Sequence, residues 1–172
     1  MAVIIKPLEA PEIEEVVALW QQNCIDLGTP LPDRAVQQIR TNMHRYGAEP
    51  DAYCFVAVDA GAVVGYLTCA LTSHPIMPGR AGEIEELHVI PRRDRRAIEV
   101  ALVECAVRTL QQQDARSIHV RTGVDRDEAH YRAFWRRLGW ANDMTIFSIY
   151  GNVPGAPALQ QVWDAYRTED ER

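Results

Sequence analysis

ELHVIPRRDRRAIEVALVECAVRTL, residues 86–110, and FWRRLGW, residues 134–140, are the stretches that decide how this chain folds. The first reads as the end of a strand, a break at Pro91, an arginine-rich turn and a long helix. Ile98, Leu102, Cys105, Ala106, Thr109 and Leu110 recur on one face of that helix, which predicts that it packs on a sheet. A strand that turns straight into a helix leaves the first amides of the helix unpaired at the positive end of its dipole. Such a junction suits an anion.

Working outward, residues 83–89 predict the strand, and Asp94 predicts a side-chain cap for the helix. Upstream, residues 3–6 read as a short first strand. Pro11 opens a helix with Ile13, Val16, Val17, Trp20 and Cys24 at helical spacing. Asp33 can cap a second helix, striped by Val36, Ile39 and Met43 and closed by Gly47. Residues 53–58 and 63–71 are β-rich runs joined by DAGA, a hairpin signal, and TSHPIMPGRAG, residues 72–82, reads as a loop. Downstream, residues 117–121 alternate as a fifth strand, 127–138 predict a helix closed by Gly139, and 144–150 predict a last strand. GNVPGAPA then looks like a linker, and residues 159–172 can add a short helix. The expected organisation is one domain over 1–150 and a C-terminal extension over 151–172.

Composition bounds the function. A chain of 172 residues with 47% apolar and 24% charged residues is an ordinary globular domain by its usage. No apolar run approaches the roughly 20 residues that span a bilayer, and MAVIIKPLEAPE lacks the basic start of a signal peptide. We therefore expect a cytoplasmic protein with no membrane partner. Cys24, Cys54, Cys69 and Cys105 have no metal-like spacing, so buried, reduced thiols and no metal are expected. A net charge of −6 argues against nucleic acid as a partner. Arg92, Arg93, Arg95 and Arg96, grouped around Asp94, are the local exception.

The predicted order β, α, α, β, β, β, α, β, α, β, with the arginine turn after strand four and RRLGW after the last helix, resembles the GNAT acetyltransferase family over residues 3–150. The resemblance implies a single-domain α/β fold, a mixed, mostly antiparallel central sheet flanked by helices, with strands four and five splayed. It implies transfer of an acetyl group from acetyl-CoA to a primary amine of a small molecule or protein, without a metal. Homodimerisation through the last strand or the terminal segment would suit such a protein, although no residue fixes it.

In that family the diphosphate approaches a turn of arginine or glutamine, two residues, glycine, one residue, then glycine or alanine. Here Asp94, Ala97 and Glu99 stand at the marked positions, and Glu99 puts a negative charge in the first turn that would repel a diphosphate. Two readings stay open. Either Arg92, Arg93, Arg95 and Arg96, around Ala97, take the phosphates by charge-assisted bonds in place of glycine-exposed amides, or the arginines pair with Asp94 and nearby glutamates. In the second case the protein is a catalytically inactive member with a regulatory or ligand-binding role.

Leu87, His88 and Val89 match the stretch of strand four that offers backbone groups to the pantetheine arm. The family's base is often a carboxylate on that strand, which points to Glu85 and Glu86, with Glu83 nearby. Alternation puts Glu85 with Leu87 and Val89, and Glu86 with Ile84 and His88, unless a bulge changes the phase. The family's acid is a tyrosine where this chain has Trp135, whose indole cannot deliver a proton. Tyr131, one turn earlier, is the expected substitute. His88 and His119 are further titratable candidates near the cleft, and Trp20, Tyr46, His74 and Met77 lie on the acceptor side.

Overall fold

The computed structural model of the chain describes residues 3–26, 28–73, 79–120 and 134–138. The chain divides into two compact units, Met1–Ala129 and His130–Arg172. In the first, five strands form one sheet in the order β1 (Ile4–Pro7), β2 (Ala52–Asp59), β3 (Ala62–Ser73), β4 (Arg80–Val89) and β5 (Ala115–Val120). The first four are antiparallel neighbours and β5 lies parallel to β4. A parallel pair needs a long crossover, and α3 (Arg95–Gln112) supplies it. Helices α1 (Ile13–Asp26) and α2 (Asp33–Ala48) connect β1 to β2. The mixed, mostly antiparallel sheet flanked by helices is as expected.

Each face of the sheet is covered by the helices whose stripes predict it. Ile13, Val16 and Val17 of α1 with Val36, Ile39 and Met43 of α2 bury Cys54, Val56, Val63 and Tyr66. Complete burial of Val56 and Val16 removes all their apolar surface from water, roughly 1.5–3 kcal/mol for a side chain of that size. On the opposite face α3 sets down Leu102, Ala106 and Leu110, all fully buried. The predicted stripe is displaced: Cys105 and Thr109 are half-buried, while Glu99 and Val103 take core positions. The hairpin expected at DAGA forms with Asp59 opposite Ala62, and both central residues, Ala60 and Gly61, have positive φ, 51° and 86°, as a type I′ turn requires.

Several boundaries differ from the sequence reading. Asp33 is the first helical residue of α2 and Pro32 holds the cap position; the carboxylate still favours the positive end of the dipole. Gly47 does not stop α2, because the helix runs to Ala48 and closes through the Glu49 amide on the Arg45 carbonyl at 2.8 Å. The Arg45 guanidinium grips the Glu49 carboxylate at 2.9 and 2.8 Å, reinforcing that end. Both ends of the expected loop over 72–82 are ladder, with Thr72 opposite Ala81 and Ser73 opposite Arg80, an arrangement that Arg80 supports by pairing with Asp51. All four cysteines are free; Cys54 and Cys69 are buried as expected, Cys24 and Cys105 only partly.

In the second unit, residues 134–137 are helical and the Leu138 amide bonds the Phe134 carbonyl at 3.2 Å. The rest of the expected helix over 127–138, the strand over 144–150 and the segment 151–172 lie outside the described residues. Among the described residues no helix is long and apolar enough to cross a membrane.

Candidate active site

The register of β3 against β4 steps by one residue: Thr68 opposes Glu86, whereas Cys69 opposes Ile84. Glu85 is the extra residue of a bulge. Ile84, Leu87 and Val89 pair with Cys69, Leu67 and Gly65 and share the α3 face, while Glu86 and His88 pair with Thr68 and Tyr66 on the face of α1 and α2. Plain alternation would set Glu85 beside Leu87 and Val89, but the bulge reverses this. Glu85 turns to the α2 side, where the Tyr46 hydroxyl donates to its Oε2 at 2.7 Å. Both carboxylates therefore reach one side of the sheet.

The Thr68 hydroxyl is fully buried next to this pair. Burial, then the hydrogen bond to Glu85 and its charge, push the Tyr46 phenol far above its ordinary value, with the Thr68 hydroxyl opposing. Tyr46 stays a protonated donor at any working pH. Beside it, Trp20 stacks on Tyr66 with ring centroids 6.2 Å apart, and Tyr66 tilts against His88 at 6.0 Å. Burial, then the Arg95 charge, pushes His88 down to about 4, with Asp26 opposing weakly. His88 is thus a neutral wall at pH 7. Cys24 on α1 is pushed up by burial and by the Glu86 charge, which places Glu86 within electrostatic reach of α1.

The start of α3 divides the four arginines into two pairs. Arg92 is half-buried; its Nη2 meets Asp59 Oδ2 at 2.8 Å and its guanidinium also holds Asp94. Asp94 consequently makes no side-chain cap to the helix, contrary to expectation, and Arg92 holds its carboxyl below the usual range. Arg95 Nε meets Glu99 Oε1 at 2.7 Å, and Glu99 is only 1% exposed. The repulsive charge expected in the first turn is therefore matched and turned under the helix. Arg93, Arg96 and Ala97 are exposed. What β4 presents beside this junction is the run from Glu85 to Val89: its ladder with β5 covers only Arg80 to Ile84, so the run has no strand partner on that side among the described residues.

A sequence profile of the Acetyltransferase (GNAT) family matches residues 14–140. The chain belongs to that family. Against curated protein sequences nothing matches at a significant level. Solved structures with the same fold include a ribosomal-protein-alanine N-acetyltransferase from Brucella melitensis biovar Abortus, 17% identical, covering 87% of this chain and 99% of that one with a TM-score of 0.68. A transcriptional regulator from Bacillus halodurans is 15% identical with the same coverage and a TM-score of 0.74. A predicted acetyltransferase with acetyl-CoA from Clostridium acetobutylicum is 12% identical, covering 87% of this chain and 97% of that one, TM-score 0.73. At such identities the likeness is one of fold.

Within the GNAT fold, the remaining candidates separate clearly. Tyr131, the expected acid, lies outside the described residues, as do His74, Met77 and His130. Trp135 is buried and meets Phe134 edge to face, centroids 5.1 Å apart, the packing role its indole suggests. His119 Nε2 lies 3.0 Å from Ser117 Oγ on its own strand, and no described group of His, Cys, Asp and Glu could hold a metal ion. The residues that sequence reasoning missed are Thr68, whose burial no local pattern reveals, and Asp59, whose pairing with Arg92 spans 33 positions. Tyr46 was legible as a lining residue only; its bond to Glu85 spans 39 positions.

Proposed function

We propose that this GNAT protein transfers an acetyl group from acetyl-CoA to a primary amine, with Glu85 as general base. The observation that carries this is the bulge, which brings Glu85 and Glu86 together on the acceptor face while Tyr46 occupies only one oxygen of Glu85. Oε1 remains for an amine proton. The amine nitrogen attacks the thioester carbonyl carbon and its proton passes to Glu85; the tetrahedral oxyanion then collapses, the C–S bond breaks, and the thiolate takes up a proton. Tyr131 is the proposed donor on sequence grounds.

The start of α3 fits a diphosphate. Its first amides are not capped by Asp94, Arg93 and Arg96 are exposed, and Ala97 adds only a methyl group. The open side of residues 85–89, which includes Leu87, His88 and Val89, supports sheet-edge pairing with the pantetheine amides. A cytoplasmic setting agrees with four free cysteines. The pairing of Arg92 and Arg95 with acidic side chains favours a second reading, an inactive member that has given up the coenzyme.

Titration calorimetry with acetyl-CoA at low and high salt separates the two. Micromolar binding that weakens with salt is expected, and no heat at high ligand concentration would leave the inactive reading standing.

A further inference from the structure

Resting on the acetyltransferase reading, we propose that Tyr46 is a positioning residue: its hydroxyl fixes the Glu85 carboxylate at the β4 bulge so that the other oxygen faces the incoming amine. A glutamate on a bulge has three rotatable bonds and, unsupported, spreads over several rotamers in water. A carboxylate held in one of them acts on a bound amine far more often than one that wanders. Here the constraint comes from a different element. Tyr46 belongs to α2, is itself half-buried against the cluster of Met43, Cys54, Val56 and Tyr66, and donates to Glu85 Oε2 at 2.7 Å.

Thr68 lies at the same spot. The Thr68 hydroxyl, 0% exposed, sits beside the Tyr46 phenol and on the strand directly opposite the bulge. Thr68 and Glu85 thus flank Tyr46 from neighbouring strands. Helix α2 is coupled to the base through one side chain.

The experiment measures thiol release from acetyl-CoA with n-butylamine, spermidine and poly-L-lysine as probe acceptors, for the intact chain and for Tyr46→Phe, Glu85→Gln and the double variant. Tyr46→Phe keeps the ring and is expected to lower kcat about tenfold while changing KM for acetyl-CoA less than twofold. In the Glu85→Gln background the same change should alter kcat less than twofold, because the group being held is gone. Glu85→Asp, which draws the carboxylate back from the phenol, should behave like Tyr46→Phe and be insensitive to its addition. An equal loss from Tyr46→Phe in both backgrounds, or no loss in either, overturns the positioning role while leaving the acetyltransferase intact. Bound acetyl-CoA with no thiol release from any probe overturns Glu85 as base, and the positioning role with it.

Discussion

Arg95 Nε lies 2.7 Å from Glu99 Oε1 one turn along α3, and the Glu99 side chain is 2% exposed while that of Arg95 is 27%. The pair is a half-submerged clamp on the first turn of the helix that begins the candidate coenzyme site. Removing one partner of such a pair leaves a charge stranded in the core. Arg95→Ala should therefore cost about 3 kcal/mol in urea unfolding, and Arg95→Ala combined with Glu99→Leu should recover most of it. Equal stability of the two variants would show that the buried carboxylate does not depend on Arg95.

The same helix start separates ligand-binding from structural arginines. Arg93→Ala and Arg96→Ala are expected to weaken acetyl-CoA binding about threefold to tenfold each and to flatten its salt dependence, since both side chains are exposed at the start of α3. Asp94→Asn should tighten binding, because its carboxylate now competes for Arg92. Calorimetry on the three variants checks the assignment; tighter binding in Arg93→Ala would reverse it.

His88 gives the fold an acid-sensitive element. Its folded pKa, pushed down to about 4 from 6.5, means that the unfolded chain binds the proton and the folded chain does not between those values. Stability is then full above about pH 6.5 and falls as the pH drops toward 4, by on the order of 2 kcal/mol from this group. Urea unfolding at pH 7 and pH 4.5 should show a steeper loss for the native chain than for His88→Gln. Parallel losses would mean that His88 is protonated in the folded state.

Gly65 on β3 stands opposite Val89 on β4. A Cβ there would come within 2.8 Å of Val89 Cγ2 and 2.9 Å of the His88 carbonyl oxygen, and the latter is backbone that cannot swing away. Gly65→Ala should lose roughly 2–3 kcal/mol and displace the open half of β4, so coenzyme binding should fall along with the melting temperature. Unchanged melting would indicate that the two strands separate freely at this point.

The elements of this protein were legible because their signals are local. The stripes of α1 and α2, the DAGA turn and the break at Pro91 each lie within a few residues and fix period, reversal or end. The GNAT assignment followed from their order. What was not legible depends on partners far along the chain. Nothing near Glu85 signals an extra residue, since a bulge is defined by its mismatch with β3, and nothing near Asp94 signals that Arg92 would draw it away from the helix amides. Glu99 reads from sequence as a first-turn charge repelling a diphosphate, and only its salt bridge to Arg95 and its burial under α3 show that it is turned away. Gly47 misled because a glycine near a helix end is a stop signal only when the chain leaves in the left-handed region, and α2 instead continues through it to Ala48.

The additional residue on β4 also sets what this strand can tolerate in length. Deleting Glu85 would restore an unbroken pleat and leave every other residue on its present side, because Ile84 and Glu86 already face opposite ways across Cys69 and Thr68. Ile84, Leu87 and Val89 would still meet α3, and only the carboxylate under Tyr46 would be gone. A single-codon loss at this place thus leaves both faces of the sheet as they are, and what the inserted residue gives the protein is its side chain alone.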